Sequence, residues 1–143
     1  MTVWHNIDQM YNELLETDGF TFITNKNVLL KNENYPTYGR YSVGNIEGDF
    51  WTMKFYNNDE LLSSLKYGIN AIMAYFDLIE EEHPLLCPLN PTFGGWIREG
   101  RELVIDPVSV YRDLKTAKIF ANMYNQEAIF DFKIMEEIFL SSL

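Results

Sequence analysis

The chain has 143 residues, 47% hydrophobic and 22% charged, with a formal net charge of −10. Length and composition fit a single domain spanning residues 1–143, able to bury a core without metals or disulfides, and they exclude a disordered chain. The charge disfavours direct contact with nucleic acid or anionic lipid, because a surface of this sign repels phosphate.

The first element expected is an amphipathic helix over 3–17, with Trp4, Ile7, Tyr11, Leu14 and Leu15 at helical spacing and Asp18-Gly19 to end it. Asp8, Glu13 and Glu16 share its other face, and a start of this kind lacks the basic-then-apolar layout of a secretory signal. A hairpin follows, with 20–24 and 28–31 around the turn-forming Asn25-Lys26-Asn27, and then a loop over 32–39 around Pro36. Strands are expected at 40–46 and 50–56, joined by Glu47-Gly48-Asp49 as a tight turn.

The clearest element is a long helix over 59–81. Asn57 and Glu60 form its capping signal, and Leu61, Leu62, Leu65, Ile69, Ile72, Met73, Phe76 and Ile79 make a stripe that must be buried. Gly68 within it costs helix stability, so it is expected to mark close packing of the helix on a sheet. The most apolar stretch, Ile69–Ile79, is about half of the roughly 20 residues a bilayer span needs, so no membrane association is expected.

His83-Pro84 stops the helix, and a proline-rich connection leads to a hairpin of 93–98 and 102–105, closed by Asp106-Pro107. A helix over 113–124 and a strand over 127–132 complete the pattern. Residues 134–143 fit either a last strand or a short helix. The expected fold class is α+β: an antiparallel sheet built from hairpins, packed against a long central helix, with two shorter helices.

Candidate chemistry is sparse. His83 and Cys87 stand in a His-x-x-x-Cys arrangement after three glutamates, too few soft or nitrogen ligands for a zinc site, so no metal or cofactor is expected. Cys87 is alone, which rules out an internal disulfide and points to a reducing cytoplasm, that of the host if the protein is viral. Asp49, Glu99, Glu102 and Asp106 lie near strand ends and supply the competing reading of a small metal-dependent hydrolase. Turns collect carboxylates anyway, so the chain reads as a non-enzyme.

What remains is surface. Residues 1–82 hold 13 acids against 5 bases, and residues 83–143 hold 8 against 6. Asp77, Glu80, Glu81 and Glu82 gather at the carboxyl end of the long helix, where the dipole is already negative, an arrangement that opposes stability and hints at use. Tyr35, Tyr38 and Tyr41 surround the proline loop, and exposed tyrosines make good contact area. These seven residues are the candidate partner-binding set. The stripes are expected to be used up in the core, leaving surface charge and rings, not a reactive cluster, as the means of action.

One further pattern runs from Gly94-Gly95-Trp96 through Ile105-Asp106, Asp113 and Ala117 to Asn125-Gln126-Glu127-Ala128-Ile129-Phe130-Asp131. It resembles small uncharacterised proteins of bacteriophages and other mobile elements, in which a glycine-tryptophan hairpin leads through a helix into a Gln-x-Ala-Ile-Phe-Asp strand. The chain departs from it at Lys133-Ile134-Met135, where a turn with glycine is expected. The resemblance brings no catalytic residues. It points to an origin of that kind, and with the acidic, tyrosine-bearing surface the expected function is an accessory factor that binds a protein, such as a basic nucleic-acid-binding or defence protein inhibited by charge mimicry. A homodimer formed through exposed aromatics is the alternative.

Overall fold

In the computed structural model, residues 2–85 and 90–143 are described. The chain is α+β: eight antiparallel strands form one curled sheet, a half-barrel, with helices packed outside it. A short 3-10 segment (Thr2–Asn6) leads into α1 (Ile7–Thr17), then β1 (Gly19–Ile23), β2 (Val28–Leu29) and a single helical turn α2 (Tyr35–Tyr38). Next come β3 (Tyr41–Gly44), β4 (Trp51–Lys54), α3 (Asn58–Glu82), β5 (Thr92–Arg98), β6 (Glu102–Tyr111), α4 (Leu114–Met123), β7 (Ala128–Asp131) and β8 (Glu136–Phe139).

The main path through the sheet is β2-β1-β5-β6-β3-β7-β8. The long β6 organises it. One edge pairs with β5 from Glu102 to Val108, while the other takes β4 at 102–105 and β3 at 108–111, end to end. The expected hairpin of 40–46 with 50–56 therefore does not form. The two strands are both short, and each finds its partner on β6.

Nor does Asp106-Pro107 close a hairpin, because β6 runs straight through it. The Asn45 N–H donates to the Pro107 carbonyl at 3.1 Å, so the β3 side is where Pro107 would also need a donor. That missing N–H falls in the gap between β3 and β4, where no ladder bond is required.

α3 begins as its capping signal predicts. Asn57 Oδ1 accepts from the Glu60 N–H at 2.9 Å, and Glu60 Oε2 reaches back to the Tyr56 N–H at 2.8 Å. Leu61, Leu65, Ile69, Ile72 and Phe76 are buried against Phe22, Phe93, Leu103 and Ile105, with Met10 and Leu14 of α1 closing the cluster. Each large side chain so buried contributes about 1.5–3 kcal/mol. Gly68 marks the close approach as expected: a Cβ there would lie 2.6 Å from Ile105 Cγ1 and 2.9 Å from the Trp51 ring. In α1 the buried residues are Met10 and Leu14, while Trp4 and Leu15 face outward, so the expected stripe is rotated.

α4 starts at Asp113, whose side chain accepts from the Thr116 N–H at 2.8 Å. With Ala117 and Ala121 it covers Tyr41, Val43 and Ile129, a second and smaller core on the same face of the sheet. The last strand pairs with β7 through a turn in which Met135 takes φ 54, a left-handed conformation that favours glycine. The Asp131 carboxylate supports that turn by accepting the Lys133 N–H at 2.9 Å.

The ends of the sheet are drawn together. The Asn32 amide, just beyond β2, donates to the carbonyls of Phe132 (3.1 Å) and Lys133 (2.8 Å), just beyond β7. Among the described residues, the face turned inward by this curl carries none of the three longer helices; only the turn α2 lies against it, where Thr37 and Tyr38 line a second cavity with Thr92, Val108 and Val110.

Candidate functional site

Strand alternation sends β-residues to opposite faces, and cross-strand partners share a face. The helix-covered face holds Phe22, Phe93, Leu103, Ile105 and Val43. The register places Thr21 opposite Gly94, Gly94 opposite Asp106, Gly44 opposite Val108, and Ser42 opposite Phe130 on the other, interior face. Small and polar side chains there leave space. The result is a cavity of about 480 Å³ lined by Thr21, Ser42, Gly94, Trp96, Asp106 and Phe130, among others.

Asp106 is the group this cavity buries, at 4% exposure. Its neighbour across the ladder is Gly94, where a Cβ would come within 3.3 Å of Val108 and 3.4 Å of the Phe20 carbonyl. Oδ1 accepts the Phe50 N–H at 2.6 Å. No other donor among the described residues reaches the carboxyl. Since none of their sealed side-chain oxygens lacks a partner, Oδ2 opens onto the cavity. Burial pushes this carboxyl up to about 6, against the pull of the Phe50 N–H; Asp49 adds to the rise and Arg98 opposes it.

Arg98 sits at the same end of the cavity and is fully engaged. Its Nε and one terminal nitrogen donate to Glu102 at 2.9 and 2.7 Å, and its two terminal nitrogens donate to Asp49 at 3.3 and 2.9 Å. The loop 45–50 that carries Asp49 is held from the far side. Asn125 donates to Glu47 at 2.9 Å, and Gln126 donates to the Ile46 carbonyl at 2.8 Å while its amide fills the space above Gly44.

No protein-family model, curated protein or solved structure matches the chain.

Three of the four turn carboxylates thus come to one end of the cavity: Asp49 and Glu102 on Arg98, with Asp106 beside them. Glu99 stands apart in the β5–β6 turn, exposed, at φ 56. Among the described residues no group of three or more His, Cys, Asp or Glu is placed to hold a metal ion. Where a cation would sit between Asp49 and Glu102, a guanidinium already does. His83 is exposed at the end of α3, and Cys87 lies outside the described residues.

Of the candidate partner-binding residues, Asp77, Glu80, Glu81 and Glu82 are exposed along the end of α3. Tyr35 and Tyr38 are half-buried in and beside α2. Tyr41 is a correction: at 6% exposure it belongs to the second core, with the Arg40 guanidinium 4.9 Å from its ring centroid, so it offers no contact surface. The cavity has no counterpart among the expectations drawn from the sequence. Its trace in the sequence is an alternation of bulky with small or polar residues, Phe20-Thr21-Phe22 and Phe93-Gly94 among them. Such alternation reads equally well as a solvated outer face until the sheet is seen to curl.

The described residues form no helix long and apolar enough to cross a membrane.

Proposed function

We propose that the protein is an acidic binding module, an accessory factor of the bacteriophage or mobile-element type, that acts by occupying the basic groove of a nucleic-acid-binding protein. The observation that carries this reading is where the charge lies. α1 and α3, neighbours on one side of the sheet, hold nine acids against Lys66 alone, a net −8 of the chain's −10. α4, on the same side but over the second core, has Lys115 and Lys118 and no acid. Uniform acidity would serve solubility equally well anywhere on the surface; segregation onto one layer creates a field with a direction.

Apolar contact area lies within that field. Tyr67, Leu78 and Leu15 are 62%, 51% and 45% exposed, and Tyr67, Ala74, Leu78 and Glu81 follow one another along the outer ridge of α3. Large side chains that lose water in the middle of a charged rim are how interfaces of this kind gain affinity beyond steering.

The test is competition. The full chain is immobilised and challenged with purified basic DNA-binding proteins from a bacterial host, with and without duplex DNA. A partner that duplex displaces, whose binding weakens steeply with salt, and that is lost on combining Glu80→Lys, Glu81→Lys and Glu82→Lys supports the reading. Binding that duplex does not contest, or that survives the charge reversal, refutes it.

A further inference from the structure

The interior cavity lies on the opposite face of the sheet from α3, with Glu13 and Thr17 of α1 reaching its lining. Asp106 is its focus: a carboxyl 96% removed from solvent, with Oδ1 held by a backbone N–H and Oδ2 facing open space with no protein donor. A buried acceptor of this kind costs free energy unless something donates to it. The fold uses Oδ1 to hold the Phe50 N–H, but it gives Oδ2 no partner among the described residues.

The charge of the lining says which donor fits. Five carboxylates, those of Glu13, Asp49, Asp106, Glu127 and Glu137, face one base, Arg98. Arg98 is already neutralised by Asp49 and Glu102. Glu13 is paired with Lys31 at 3.2 Å. Asp106, Glu127 and Glu137 have no ion pair among the described residues; Glu127 and Glu137 are exposed at the rim, and Asp106 is the buried carboxyl left without a counter-charge. Walls of low polarity concentrate the potential of such a charge. Trp96 and Phe130 supply those walls on the same face, and aromatic faces attract cations as well as apolar groups. The volume falls within the roughly 300–1,000 Å³ usual for small-molecule sites.

We propose that the interior of the half-barrel binds a small organic cation, a primary ammonium carried on a flat apolar group, with Asp106 as its counter-charge and Trp96 and Phe130 as its walls. The ammonium donates to Oδ2, and the apolar part lies against the Trp96 and Phe130 rings. An anionic ligand would meet three unpaired carboxylates and a guanidinium already neutralised by Asp49 and Glu102. Because Asp106 takes up its proton near pH 6, in the presence of Asp49, Arg98, Glu13, Glu127 and Glu137 around the cavity, affinity falls as the pH drops through that value.

The test is an amide and indole NMR titration of the full chain with three probes of one shape: 2-phenylethylammonium, 2-phenylethanol and phenylacetate. The expected result is a saturable shift at Gly94, the Trp96 indole and Ser42 for the ammonium alone, weakening below pH 6. In Asp106→Asn, which retains an acceptor for the Phe50 N–H, the affinity drops at least about tenfold while the rest of the spectrum is unchanged. Trp96→Leu, which leaves Asp106 in place, weakens binding without altering its pH dependence. The proposal is overturned if the alcohol or the anion binds as well as the ammonium. It is also overturned if the shifts map to α3 instead of the cavity, if Asp106→Asn binds normally, or if no probe saturates. Saturation by a lysine-bearing peptide but by no free amine would assign the cavity to a protein side chain and likewise overturn it.

Discussion

The two faces of the sheet are built to different specifications from the same strands. Under α1 and α3 the sheet presents Phe22, Phe93, Leu103 and Ile105, all fully buried, against five buried side chains of α3. On the interior face the same strands present Thr21, Gly94, Asp106 and Ser42 around an open cavity. One face makes the fold and the other leaves room within it. A protein that needed only to stand up would fill both, because cavities and buried charges cost stability.

The largest expected effect tests the covered face. Leu65→Ala removes a side chain with no exposure from the middle of α3 and should cost about 2–5 kcal/mol, read as a fall in the denaturant midpoint at constant m-value. Val108→Ala, on the interior face at 7% exposure, opens onto existing space and should cost about 1 kcal/mol or less. Equal losses at the two positions would erase the distinction between the faces.

Next in size is the ion pair that ties the second core to the sheet. Arg40 holds Asp131 through two bonds of 2.8 Å, and Asp131 is 1% exposed. Burial alone would raise the Asp131 carboxyl, but the Arg40 hydrogen bonds and the Lys133 N–H outweigh it and hold it below the usual range. Arg40→Met leaves that carboxylate buried without its partner, and the expected loss approaches that of the smaller core deletions. Since its folded value is depressed, Asp131 adds stability at neutral pH that is lost as the pH falls through the folded value. Melts in acid should therefore converge for wild type and variant. A constant gap between them down to low pH would show that the guanidinium acts by packing instead.

How much of this was legible in the sequence follows from the range of the forces involved. α3 could be placed to within a residue at each end because its cap, its stripe and the proline after it are all local signals, and Gly68 betrayed the close sheet beneath it. The partner of each strand could not be read. Glu47-Gly48-Asp49 has the composition of a hairpin turn, yet β3 and β4 prefer β6, a strand whose paired residues lie 48 to 70 positions away in the sequence. Asp106-Pro107 looked like a stop because a proline usually ends a strand; only the gap between β3 and β4 makes it tolerable. Tyr41 sat among exposed-looking tyrosines, and α4 buries it. The cavity depends on closure between Asn32 and the residues after β7, a contact no periodicity encodes.

Asp106 itself gives the sharpest contrast between the faces, with an effect of opposite sign. Its folded value lies near 6, above the ordinary 3.8, so the proton stabilises the folded state. That contribution is complete below the unfolded value and disappears as the pH rises through about 6. A shift of this size corresponds to roughly 3 kcal/mol. Asp106→Asn should then be more stable than wild type at neutral pH, with the difference vanishing in mild acid. Thermal melts on both sides of pH 6 measure it, and a variant that is less stable at neutral pH would mean the carboxylate is already satisfied within the protein.

The smallest effect concerns the acidic end of α3. Glu80, Glu81 and Glu82 lie in its last turn with no base among them, where the unsatisfied carbonyls already carry partial negative charge. Combining Glu80→Gln, Glu81→Gln and Glu82→Gln should raise the melting temperature slightly at low ionic strength, by less than about 1 kcal/mol, and the gain should fade in salt as screening removes the repulsion. If these glutamates served only solubility, their placement at the least favourable end of the helix would be an unnecessary cost. A small gain in stability that accompanies loss of binding to a basic partner would show what that placement is for. A gain with no change in binding would leave the charged face without a role and move attention to the interior of the barrel.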